Sequence, residues 1–207
     1  ELGVEIPTLC HLDLHAVGLV NKGASCRICV VEVKGRRNLA PACATPVVEG
    51  MEVRTNTIRV LNARKTVLEL LLSDHPKDCL TCAKSGNCEL QELAERFCLR
   101  SNRYEGGEQS SYVKDHSPSL ERDMDKCVMC RRCETMCNEV QTVGALSGVN
   151  RGFSSVVAPA FEKPLEESVC TFCGQCAAVC PTGALVERDY SWQVIEALAD
   201  PDKVVVV

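Results

Sequence analysis

Apolar positions change their period several times along the chain. Residues 27–35, RICVVEVKG, read as a strand that enters a turn at Gly35, and 51–56, MEVRTN, as a second short strand. Between 56 and 75, NTIRVLNARKTVLELLLSDH, apolar Ile58, Leu61, Leu68, Leu71 and Leu72 fit an amphipathic helix with Asn56 or Thr57 as N-cap. Between 89 and 100, ELQELAERFCLR, one helical face collects Leu90, Leu93, Ala94, Phe97 and Cys98. Cys98 therefore reads as a core residue, because free cysteine is among the most buried side chains. The stretch 101–123 is rich in Ser, Gly and charge and reads as a surface linker. The last segment, SWQVIEALADPDKVVVV, reads as a helix, a turn and a strand. Short strands at the front and helices behind them predict an α+β chain.

Composition changes the picture. Of 207 residues, 16 are cysteine, while only one Trp, three Tyr and four Phe are available to build cores. Small domains with weak cores need staples, either disulfides or metals. The net charge of −5 comes without any basic stripe, which argues against nucleic acid. No apolar run approaches the roughly eighteen residues of a membrane span, and no secretory signal is visible.

The cysteines cluster at metal-site spacing. Two runs, CVMCRRCETMC at 127–137 and CTFCGQCAAVCP at 170–181, both read C-x2-C-x2-C-x3-C, and each cysteine of the second lies 43 residues after one of the first. This is the bacterial two-[4Fe–4S] ferredoxin run, in which the fourth cysteine of each run ligates the other cluster. The expected groups are Cys127, Cys130, Cys133 and Cys180, and Cys137, Cys170, Cys173 and Cys176. Structural zinc prefers two separated pairs of ligands and fits this pattern poorly. Pro181 follows the second run and Asn138 the first. A further set, Cys10, Cys26, Cys29 and Cys43, reads C-x15-C-x2-C-x13-C, which shares its central C-x2-C and distant fourth ligand with plant-type [2Fe–2S] ferredoxins.

The stretch HPKDCLTCAKSGNC (75–88) places His75, Cys79, Cys82 and Cys88 between the two helices. Three thiolates and one imidazole would complete four ligands. Equally, His75 could cap the end of the first helix, where a cation is favoured. Lys126, Arg131 and Arg132 flank the first ferredoxin run, and the simplest reading is a solvated face; the other is partner docking or tuning of a cluster.

Together these motifs resemble the N-terminal iron–sulfur region of multi-subunit, NAD(P)-linked [FeFe]-hydrogenase catalytic subunits. The large iron–sulfur subunit of complex I and NAD-dependent formate dehydrogenases begin in a similar way. The wording of 10–47, CHLDLHAVGLVNKGASCRICVVEVKGRRNLAPACATPV, and of 66–97, TVLELLLSDHPKDCLTCAKSGNCELQELAERF, carries the likeness. The resemblance implies a β-grasp [2Fe–2S] domain over 1–55 that lacks its opening hairpin, with ELGVEIPTLC as the end of a helix. It implies a small helical domain over 56–114 in which His75 joins Cys79, Cys82 and Cys88 on a [4Fe–4S] cluster. A βαβ-repeat 2[4Fe–4S] ferredoxin-like domain follows over 115–189, and 190–207 begin an H-cluster-type domain. One [2Fe–2S] and three [4Fe–4S] clusters are expected, and they would bring the formal charge to about −12.

Four one-electron centres without a G-x-G-x-x-G, G-x4-GK-[ST] or G-x-S-x-G motif read as a wire rather than a catalyst. By resemblance, the chain alone carries no catalytic site and serves a hydrogenase. It would exchange electrons with a flavin- and NAD(P)-binding diaphorase-like subunit and a small [2Fe–2S] subunit, or with ferredoxin, in a cytoplasmic hetero-oligomer. The competing readings are a relay for formate dehydrogenase or complex I, and a free-standing electron carrier. A zinc-stapled scaffold is the remaining alternative.

Overall fold

Three short strands open the computed structural model, which describes residues 3–19, 21, 23–104 and 114–203. β1 (Val30–Val33) pairs antiparallel with β2 (Ala40–Pro41) on one side and with β3 (Val53–Arg54) on the other. Val31 and Val33 turn into a small core with Ala40. Gly35, at a φ of 82°, supplies the left-handed residue that closes the turn after β1. Before Cys10 the described chain contains no helix, contrary to the expectation for ELGVEIPTLC. Gly3 is left-handed, and Pro7 donates no backbone hydrogen bond, so this run stays irregular.

α1 (Ile58–Ser73) starts where Thr57 Oγ1 accepts from Val60 N at 3.3 Å. Its inward face differs from the expected one. Ile58 and Leu61 are exposed, whereas Val60, Arg64, Leu68 and Glu69 are buried. The helix packs on β1, whose Val30 carbonyl needs a donor at that interface, and Arg64 supplies it.

α2 (Glu89–Arg96) ends two residues before Cys98. Leu99 N bonds to Ala94 O at 2.9 Å and Cys98 N to Glu95 O at 2.8 Å, the two bonds of a Schellman cap. Cys98 occupies its left-handed position at a φ of 52° and is exposed, so it is not the core residue its spacing implied. Leu99 packs inward instead.

The rest forms two strand–helix–strand halves. The first runs β5 (Leu120–Arg122), α3 (Arg132–Thr135) and β6 (Ser147–Val149); the second runs β7 (Val156–Ala158), α4 (Gln175–Ala178) and β8 (Leu185–Glu187). β5 pairs with β8 and β6 with β7, both antiparallel, so the halves close on each other. α3 continues into a π-turn, Met136–Val140, that contains Cys137. Six residues separate Cys137 from Gly144 against two between Cys180 and Gly183, and the wider turn takes up the surplus. Asn138 Nδ2 donates to Leu146 O at 3.0 Å and ties that loop to β6.

Part of the expected linker is a hairpin. β4 (Asp115–His116) pairs with β5 across Ser117–Ser119. Asp115 Oδ2 accepts from Arg122 and from Leu165 N at 3.0 and 2.8 Å, which fixes the hairpin beneath the second half. The middle of the linker, 105–113, and the strand expected at 204–207 lie outside the described residues. The closing helix, α5 (Ser191–Ala199), buries none of its side chains here.

Candidate metal centres

Cys10, Cys26 and Cys29 are buried and Cys43 is half-buried. Left-handed Ala24 and Arg27 curl the backbone around the sulfurs, and Ala24 N donates to Cys43 Sγ at 3.1 Å. Gly23 lies against the same group, since a Cβ there would stand 3.1 Å from Cys43 Sγ and 3.7 Å from Cys10 Sγ. Contact with Cys26 lowers the Cys10 thiol to about 5 and raises its partner. Burial, then the neighbouring Cys29, pushes Cys43 up to about 12.

His75 follows the end of α1, Cys79 opens a single 3₁₀ turn (Cys79–Thr81), and Cys88 is the N-cap residue of α2. All four candidate ligands, including Cys82, line one cavity of 440 Å³ together with Lys126 and Gly183. His75 Nδ1 is buried without a hydrogen-bond partner. Burial, then Lys126, lowers the imidazole pKa and so favours the neutral, metal-ligating form. Burial raises Cys88. A Cβ on Gly183 would stand 2.6 Å from Cys82 Sγ, so only glycine allows this approach.

The two ferredoxin runs repeat one local geometry. Met129 and Arg131 are left-handed in the first, Phe172 and Gly174 in the second. Met129 N donates to Cys127 Sγ and Phe172 N to Cys170 Sγ, both at 3.4 Å. Burial, then Cys130, Cys127 and Cys180, raises Cys133 well above its usual value. Burial also raises Cys130 to about 12, and Cys180 and Cys127 add to it. Burial, then Cys170, raises Cys176 to about 11, with Cys173 and Cys137 contributing. Cys176, which belongs to the other expected group, also raises Cys133, so the two ferredoxin runs lie against each other.

Among the described residues no three His, Cys, Asp or Glu side chains close on a single-ion site; a cluster, unlike one ion, holds its thiolates apart across its own core. The donor chemistry fits iron–sulfur clusters: sets of three or four thiols, glycine cradles at Gly23 and Gly183, and an orphaned imidazole nitrogen. Without bound metal, burial favours neutral thiols at Cys43, Cys88, Cys127, Cys130, Cys133, Cys170 and Cys176.

The charges divide differently from expectation. Arg131 is half-exposed and bonds Glu134, as a solvated face requires. Lys126 is only 14% exposed and pairs with Asp123 at 2.9 Å, and Arg132 is 8% exposed and pairs with Glu89. These two belong to the interior between the His75 cavity and the first ferredoxin run. Sequence reasoning missed Gly23 and Arg64, which carry no local motif, and gave no role to Gly183, which stands in a repeated Gly-Ala-Leu triplet. No described helix is long and apolar enough to cross a membrane.

Three family models match in chain order. They are a 2Fe-2S iron-sulfur cluster binding domain over 1–58, the NADH-ubiquinone oxidoreductase-G iron-sulfur binding region over 64–103, and the ferredoxin-like domain of NADH-quinone oxidoreductase subunit 3 over 117–186. The NADP-reducing hydrogenase subunit HndD of Solidesulfovibrio fructosivorans is 72% identical over 206 residues, covering 100% of this chain and 35% of the relative. An NADH-quinone oxidoreductase subunit of Rhizobium meliloti is 39% identical over 195 residues, 93% of this chain and 22% of the relative. This chain thus spans about a third or less of the length of these relatives. Among solved structures, an NAD+-reducing [NiFe]-hydrogenase in the H2-reduced state contains a chain that superposes with a TM-score of 0.79 at 30% identity, over 90% of this chain and 76% of that one. The chain belongs to the iron–sulfur family shared by NADH-quinone oxidoreductases and NAD(P)-linked hydrogenases.

Proposed function

We propose that this chain is the electron-relay region of an iron-only hydrogenase subunit, joining an H-cluster domain to an NAD(P)-linked flavin subunit or to ferredoxin. The ligand sets are Cys10, Cys26, Cys29 and Cys43 for a [2Fe–2S] cluster in a β-grasp domain, and His75, Cys79, Cys82 and Cys88 for a [4Fe–4S] cluster. Cys127, Cys130, Cys133 and Cys180, and Cys137, Cys170, Cys173 and Cys176, hold two more [4Fe–4S] clusters in a bacterial ferredoxin-like domain. Each bound cluster supplies a site for one electron. The domains run 1–55, 56–114 and 115–189, with 190–207 leading onward. The enzyme is a cytoplasmic hetero-oligomer that includes a small [2Fe–2S] subunit.

One observation carries the reading: the ligand groups abut one another. Cys10 and Cys26 share a core with Val128 and Cys130. Gly183, three residues after Cys180, touches Cys82. Cys133 and Cys176 lie in one apolar cluster. The chain's own residues thereby bring neighbouring sites close together. The group at Cys127, Cys130, Cys133 and Cys180 borders the other three, which makes it a junction rather than an end.

The HndD likeness favours hydrogen as the substrate of the whole enzyme. The iron-only assignment rests on the wording of 10–47 and 66–97, since the solved relative is a nickel–iron enzyme. The Rhizobium relative supports the second reading, a complex I-type subunit. Peptide mapping of the native polypeptide past residue 207 separates them. Cysteine motifs suited to an H-cluster support the proposal. A molybdopterin-type cysteine motif moves the assignment to formate dehydrogenase. A native chain that stops at 207 makes it a free-standing carrier.

A further inference from the structure

Arg64 sits in the middle of α1 and is 4% exposed. Its Nε and one terminal nitrogen donate to the Val30 carbonyl at 3.1 and 2.8 Å. Val30 directly follows Cys29, which is itself 1% exposed. Among the described residues no carboxylate forms an ion pair with Arg64. The other buried arginines differ: Arg122 pairs with Asp115 and Arg132 with Glu89. Arg96, the cation nearest in effect, is engaged by Glu5 at the surface.

A buried guanidinium without a counter-charge is costly, and proteins pair such groups or set them beside bound ions. The carbonyl that Arg64 holds belongs to the residue directly after Cys29, so the guanidinium lies beside the candidate [2Fe–2S] ligand loop. We propose that Arg64 is the charge complement of the [2Fe–2S] cluster, raising its reduction potential by favouring the more anionic reduced state. This rests on the [2Fe–2S] reading of Cys10, Cys26, Cys29 and Cys43. The same placement couples cluster loading to the docking of α1 on β1. Arg64 is a positioning and tuning residue and is not a ligand.

The test is an anaerobic redox titration of the cluster-loaded protein, following the [2Fe–2S] electron paramagnetic resonance signal in wild type, Arg64→Gln and Arg64→Lys. Glutamine keeps a donor for the Val30 carbonyl and loses the charge; lysine keeps the charge. The expected result is a lower midpoint in Arg64→Gln and a midpoint in Arg64→Lys that lies above it. Loss of the signal in Arg64→Gln with retention in Arg64→Lys supports the same conclusion. An Arg64→Gln midpoint equal to wild type, or an Arg64→Lys midpoint as low as that of Arg64→Gln, overturns it. So does loss of the cluster in both variants, which assigns Arg64 to packing. A wild-type protein with no [2Fe–2S] signal overturns the underlying cluster reading instead.

Discussion

Arg132 of α3 clasps Glu89 of α2 through two nitrogen–oxygen contacts of 2.5 and 2.8 Å. The pair ties the helix that follows Cys88 to the helix that carries Cys133. Glu89 also lies in the first turn of α2, where a carboxylate is favoured. The two candidate [4Fe–4S] sites are therefore joined by an ion pair as well as by apolar packing.

Glu89→Gln leaves the buried Arg132 uncompensated. Breaking a fully buried pair costs roughly 3–5 kcal/mol. The Glu89 side chain is 42% exposed, so water screens the pair, and the expected loss is about 1–2 kcal/mol. The thermal midpoint of the cluster-loaded protein, measured without oxygen, should fall accordingly. An unchanged midpoint would show that water alone satisfies Arg132.

Gly183→Ala tests the contact between two ligand groups. Its Cβ would stand 2.6 Å from Cys82 Sγ, nearer than real contacts allow. The Gly183 backbone is tied into the turn before β8, so the expected shift is that of Cys82 away from its position in the cavity. Iron content should drop by one cubane with loss of one [4Fe–4S] signal. Gly86→Ala makes a control, because a Cβ there meets open space, although its φ of 78° adds backbone strain. Full iron content in Gly183→Ala would show that the close approach is inconsequential.

His75→Cys addresses the ligand change directly. Replacing neutral imidazole by thiolate makes a cluster more anionic and lowers its potential, as the Rieske comparison indicates. The variant should keep its iron and show one [4Fe–4S] signal at a lower midpoint. His75→Ala should lose that signal. A His75→Cys protein whose midpoints all match wild type would remove His75 from the ligand set and return it to capping α1.

The iron–sulfur binding regions are legible in the sequence because metal ligation imposes local spacing that survives without any knowledge of the fold. α1, α2, β1 and β3 are legible from period and capping. Cys98 misleads because helical spacing continues on paper past Arg96, while the backbone turns left-handed after Phe97. The β4–β5 hairpin is hidden because its inward residues include Asp115 and Arg122, polar side chains that bury only as a pair. Arg64 resembles a surface helix residue, since its demand comes from the Val30 carbonyl, 34 positions away. Gly183 belongs to a Gly-Ala-Leu echo of 144–146, but its contact is hidden, because the sulfur it accommodates belongs to Cys82, in another part of the chain. Contacts between distant segments leave no periodic trace.

The central claim is that fifteen cysteines and His75 assemble four clusters of two kinds. Mössbauer spectroscopy of the anaerobically isolated, iron-57-enriched protein tests it most directly, with iron and sulfide measured on the same sample. The account predicts about 14 iron atoms and as many sulfides per chain, divided between one [2Fe–2S] and three [4Fe–4S] clusters. A colourless protein containing zinc, or a spectrum without the [2Fe–2S] component, would contradict it.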